Sequence, residues 1–154
     1  MPHEAVLGKI YTSVKALLAA HAPLTALLAT KPVGSGAAIY DDGAVPQAAT
    51  MPYLTIGAGV QLPWNTMGET GMPRYGWECS FQVKGTAQIS ETNGMNLMTQ
   101  VAAALPDGKE LSIAGYGSGW VEQFTLQPTL ITLVAGVATR EWPAILRAYV
   151  HDTI

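Results

Sequence analysis

"WECSFQVKGT", residues 77–86, alternates without a break. Trp77, Cys79, Phe81 and Val83 take one side, and Glu78, Ser80, Gln82 and Lys84 take the other. Side chains in a strand point alternately to opposite faces, so this pattern predicts a strand with one face buried and one wet. Trp77 and Cys79 are thereby assigned to the core. A sheet wet on one face needs a cover on the other, and the flanking sequence supplies helices. Downstream, "SETNGMNLMTQVAAAL" at 90–105 carries Leu97, Met98, Val101, Ala104 and Leu105 as a helical stripe. Ser90 or Thr92 is its candidate N-cap.

At the N-terminus, Val6, Leu7, Ile10, Val14, Leu17 and Leu18 recur at helical spacing and predict an amphipathic helix over 4–20. "HAP" at 21–23 interrupts it, because the residue before a proline is pushed out of helical geometry. A short helix over 24–30 should follow, with Leu24, Leu27 and Leu28 inward. Strands are expected at 37–40 ("AAIY"), 53–57 ("YLTIG"), 111–115 ("LSIAG"), and in "WVEQFTLQP", "LITLVAGVA" (130–138) and "PAILRAYVHD". "DDGAVPQAATMP" and "YGSG" read as turns. The sum is an α+β fold in one domain, residues 1–154: a mainly antiparallel sheet packed by two long helices and a short one.

Only 12 % of the residues are charged, about half the usual ~25 %, while 49 % are hydrophobic. So little charge on a small protein predicts a subunit partly covered by copies or partners. The net charge is −3, and the eight basic residues form no cluster. This excludes phosphate-driven nucleic-acid binding. A single cysteine rules out an intrachain disulfide. No signal peptide is visible, and no apolar run approaches the ~18–20 residues of a membrane span.

Motifs for chemistry fail one after another. His3, His21 and His151 stand far apart, without the spacing of a zinc site. In "GYGSG" (115–119) Ser118 is not the centre of a nucleophile elbow. The glycines of "GAGVQLPWN" precede no helix, so they are no dinucleotide fingerprint. Asp41 and Asp42 fit a turn, and Glu78 and Glu122 fit the wet face of strands. No catalytic, cofactor or metal site is expected, and enzyme activity is not.

One segment resists this accounting. "QLPWNTMGETGMPRYGW" (61–77) reads as a Gly/Pro-punctuated surface loop over 61–76, yet it holds Trp64, Met67, Met72 and Tyr75. Either these side chains fold over the domain's own sheet end, or they await another chain. Trp and Met are favoured in the desolvated centres of interfaces.

The order of elements resembles the tail-completion, or tail-terminator, proteins of long-tailed bacteriophages and related gene transfer agents. The most specific piece is "VPQAATMPYLTIG" (45–57), a turn running into a strand. Two segments depart from that pattern: the longer loop at 61–76 and the unusually apolar "QPTLITLVAGVATREW" at 127–142. The resemblance implies a structural virion protein forming a ring, usually a hexamer. That ring would cap the head-proximal end of the tail tube, stop its polymerisation and dock the head connector. Its partners would be its own copies, the tail-tube protein and the connector, with DNA passing through the lumen without specific binding and no membrane involved. The chain would be made in the host cytoplasm and end in the virion. Under this reading Trp64, Met67, Met72 and Tyr75 are interface residues, and Glu78, Lys84 and Glu122 are unranked candidates for the lumen. A head-completion or connector ring is the near alternative, and a small-ligand-binding α+β domain the distant one.

Overall fold

The computed structural model describes residues 3–64, 76–113, 115–116 and 119–151. Among these, seven strands form one sheet: β1 (Ile39–Asp41), β2 (Tyr53–Trp64), β3 (Gly76–Ala87), β4 (Glu110–Leu111), β5 (Gly119–Leu126), β6 (Leu130–Val134) and β7 (Val137–His151). The order is β1-β2-β3-β7-β5-β4, with β6 also paired to β7. Every pairing is antiparallel except β1 with β2. The fold is α+β, as expected.

The alternation that opens the chain's story holds. Trp77, Cys79, Phe81 and Val83 are buried, and across the ladder so are Val150, Ala148, Leu146 and Ala144. Helix α1 (His3–Ala20) covers this face with Val6, Ile10, Val14 and Leu18. Helix α3 (Glu91–Ala104) adds Leu97, Met98, Val101 and Ala104. Ser90 caps α3, its hydroxyl accepting a hydrogen bond from the Asn93 N–H at 3.3 Å. The helix lies close to the sheet because Gly94 faces the indole of Trp142 and Gly85 lies against Leu97 and Met98.

Four expectations need correction. The second helix, α2, is Ala22–Thr25 rather than 24–30. Pro23 sits in its first turn, where no intrahelical N–H is required, so the proline begins the helix. Leu24 and Leu28 are buried, but Leu27 is 43 % exposed. Residues 61–64 and 76 are not part of the expected loop at 61–76, because β2 runs through Trp64 and pairs Gln61 with Cys79 and Trp64 with Gly76. β1 ends beside Ile56, so one edge of β2 is open beyond it, where a proline such as Pro63 is tolerated. A bulge between Gly57 and Val60 bends this long pair; a β-carbon at Gly59 would lie 0.9 Å from the Ser80 carbonyl oxygen.

The third correction concerns "LITLVAGVA", which is two strands with a turn between them. Ala135 (φ 51°) and Gly136 (φ 79°) both adopt left-handed geometry, the mark of a tight hairpin turn. Fourth, the closing strand begins at Val137 instead of Pro143. Pro143 lies inside it, and its carbonyl accepts from the Gln127 N–H at 2.9 Å. The proline nitrogen points the same way, into the gap between the end of β5 and the start of β6, so no ladder bond is lost.

Candidate assembly surfaces

Three surfaces outside the core can meet another molecule. The first is the sheet face opposite the helices. By register it carries Glu78, Ser80, Gln82 and Lys84 from β3 beside Tyr149, Arg147, Ile145 and Pro143 from β7. Arg147 pairs with Glu78 at 3.0 Å and Lys84 with Glu141 at 3.4 Å. The Trp120 indole donates to Glu122 at 3.2 Å and its ring stands 5.7 Å from that of Tyr149. Burial raises the Tyr149 phenol above its ordinary value, with Glu78 and Glu122 adding to the effect. The wet-face carboxylates and lysine singled out from the sequence are therefore tied into cross-strand pairs or an indole contact.

The second surface is the β6–β7 hairpin. It extends past the end of β3, whose last paired residue, Ala87, meets Arg140. Successive strand residues face opposite ways, so Leu130 lies on one face and Ile131 and Leu133 on the other. They are 54 %, 59 % and 72 % exposed, and Val137 is exposed as well. The base of this arm is clamped by Glu91 of α3. One carboxylate oxygen accepts from the Thr129 hydroxyl at 2.7 Å and the Trp142 indole at 3.3 Å; Arg140 lies 3.6 Å from the other. Reading 130–138 as one strand hid the arm; the apolar run at 127–142 was its visible trace.

The third is a groove of about 380 Å³ between α1 and the β1–β2 edge, lined by Leu7, Gly8, Tyr11, Asp41, Asp42, Ile56 and Phe81. Tyr11 donates its hydroxyl to Asp41, and Lys15 donates to the same carboxylate at 3.0 Å. These two partners hold the Asp41 carboxyl below its ordinary value. Burial and that carboxylate push the Tyr11 phenol up. Asp41 thus joins α1 to β1 in addition to accepting the turn hydrogen bond from Ala44.

Of the four side chains assigned to an interface, Met67, Met72 and Tyr75 lie outside the described residues. Trp64 is the last residue of β2, paired through its backbone with Gly76. Cys79 is buried, and burial pushes its thiol up to about 12, far from a reactive thiolate. Among the described residues no group of three or more His, Cys, Asp or Glu is placed to hold a metal ion. None of the described helices is long and apolar enough to cross a membrane.

A family model described as tail completion protein gp17 matches residues 12–125. The chain belongs to that family. The match runs from within α1 to β5, so it takes in the β1–β2 side of the groove and the β3 part of the wet face but not Leu7, Gly8, Tyr11 or β7, and it stops short of the β6–β7 arm. A search of curated protein sequences finds no match. Among solved structures, a chain from "Virion of native gene transfer agent (GTA) particle" superposes with a TM-score of 0.66 at 22 % identity. The superposition covers 96 % of this chain and 98 % of that one. A second solved chain gives 0.57 at 14 % identity, covering 100 % of this chain and 99 % of the other. At these identities the likeness is one of fold. The tail completion family makes this chain a structural protein of a phage tail.

Proposed function

We propose that this tail completion protein is a ring-forming tail terminator, which caps the head-proximal end of the tail tube, stops its growth and presents a docking surface to the head connector. The observation that carries the reading is the β6–β7 arm. It is apolar on both faces and projects past the sheet, a shape that a lone subunit has no use for and an assembly does. The low charge of the whole chain supports it, because flanks buried between copies need little. The net charge of −3 suits a lumen through which DNA must slide unretained. In this proposal Trp64, Met67, Met72 and Tyr75 contact the neighbouring copy, the tube or the connector.

The test is electron microscopy of particles made when the gene is deleted from the phage or prophage that carries it. Overlong, uncapped tubes beside DNA-filled heads are the expected result. Tails of normal length with unattached heads would instead move the protein to the connector. Unaltered infectious particles would overturn both roles.

A further inference from the structure

The arm and the groove are both apolar, and among the described residues neither is covered. Residues 130–134 carry no charge and no proline, and among the described residues only one edge of β6 is paired. Strand edges this apolar are normally blunted or covered. The arm cannot cover itself with its own groove. Leu133 pairs with Ala138, and the groove residue Phe81 pairs with Leu146, which places them roughly 25 Å apart along the same continuous strand β7.

The groove carries an independent mark. Gly8 stands inside an 18-residue helix, where glycine weakens the helix by roughly 1 kcal/mol relative to alanine. The other interior helix glycine, Gly94, has an evident reason in Trp142. Gly8 has none among the described residues: a β-carbon there would meet nothing of theirs within 4 Å. It is exposed at the rim of the groove, whose floor is the buried Ile56 and Phe81. On the rim Asp41 is paired with Lys15, Asp42 lies beside it, and the rest of the lining is apolar apart from the Tyr11 hydroxyl, which donates to Asp41.

We propose that the β6–β7 hairpin of one copy seats in the α1–β2 groove of the next, with Ile131 and Leu133 packed over Gly8. The contact is head-to-tail: each copy gives an arm and receives one, and such a contact closes into a ring when its rotation permits. The inference rests on the ring reading above and names the surfaces that make the ring.

The native thiol at Cys79 is buried, so introduced cysteines can be oxidised selectively. A chain carrying Gly8→Cys and Leu133→Cys, assembled into particles of the phage that encodes it, should yield a disulfide ladder in multiples of 16.2 kDa. Gly8→Cys or Leu133→Cys alone should give no ladder. Incorporation without a ladder overturns the arm-in-groove contact, while rings seen by microscopy in the same unoxidised particles keep the terminator reading. Particles that contain the chain but no ring of it overturn both. As a second measurement, Leu133→Glu and Gly8→Trp should each fold with the wild-type melting profile and be lost from particles at least tenfold. Wild-type incorporation of either variant overturns the contact.

Discussion

A β-carbon on Gly94 would stand 1.8 Å from the Cζ2 of Trp142. Glycine at the end of the first turn of α3 is therefore the condition for α3 to lie on β7, with the indole filling the space a side chain would take. Gly94→Ala improves helix propensity by roughly 1 kcal/mol but forces the indole or the helix to move. Overpacking of this kind costs about 1–3 kcal/mol, and the contact here is tight enough to reach the upper end. The expected net loss is about 2 kcal/mol, read as a lower denaturant midpoint with an unchanged slope.

Gly8 provides the opposite case. Among the described residues nothing lies within 4 Å of its missing β-carbon, so Gly8→Ala should raise the stability of the isolated chain by about 0.5–1 kcal/mol. The same denaturation experiment checks it. A destabilised Gly8→Ala chain would mean that the space beside Gly8 is already occupied from within the subunit, and the docking contact would lose its independent support.

These two glycines also show what the sequence could and could not convey. The stripe of α1 and the alternation at 77–83 are periodic, and periodicity is local; both elements and their buried faces were legible. The cap of α3 was legible to within two residues, Ser90 or Thr92, and it is Ser90. The corrections come from contacts distant in sequence or from turns with unusual residues. Ala135-Gly136 makes a tight turn without the Asn or Asp that normally announces one. Pro23 was read as a break although it occupies a helix's first turn. The extension of β2 to Trp64 depends on a ladder partner, Gly76, that lies further along the sequence. Tyr11 meets Asp41 across thirty positions of sequence, so the groove had no local signature.

Alkaline pH should weaken the fold through Cys79. Its thiol titrates near 9.0 when unfolded and is pushed up to about 12 in the folded chain. Above pH 9 the unfolded state loses a proton that the native state keeps, so stability is complete below pH 9 and declines as pH rises toward 12. The raised phenols of Tyr11 and Tyr149 act in the same direction at higher pH. Melting temperature measured under reducing conditions should be level from pH 7 to 8.5 and fall above 9. Cys79→Ala should flatten the first part of that fall; an unchanged slope in this variant would assign it elsewhere.

Glu91 holds the arm's base through Thr129 and Trp142. Hydrogen bonds to a charged group contribute about 1.5–3 kcal/mol when buried, and partial exposure at this site brings the expected cost of Glu91→Ala to about 1–2 kcal/mol. Glu91→Gln keeps an acceptor for the same donors and should recover at least half of that. Hydrogen exchange adds a local readout: amides of β6 should exchange faster in Glu91→Ala while those of β3 stay protected.

At the arm's tip, Ala135 sits at φ 51° and is the one non-glycine residue with positive φ among the described residues. A β-carbon in left-handed geometry costs an ordinary residue roughly 1–2 kcal/mol, whereas asparagine tolerates it and Asn-Gly is the preferred pair for a two-residue hairpin turn. Ala135→Asn should therefore stabilise the chain by about 0.5–1 kcal/mol. Because the turn is at the end of the hairpin, the gain should appear as slower exchange of the β6 amides before it appears in the global melt. Slower β6 exchange with unchanged incorporation into particles would show that the arm works as a preformed element. Faster exchange would show that the residues at 135 and 136 do not form the turn that divides β6 from β7.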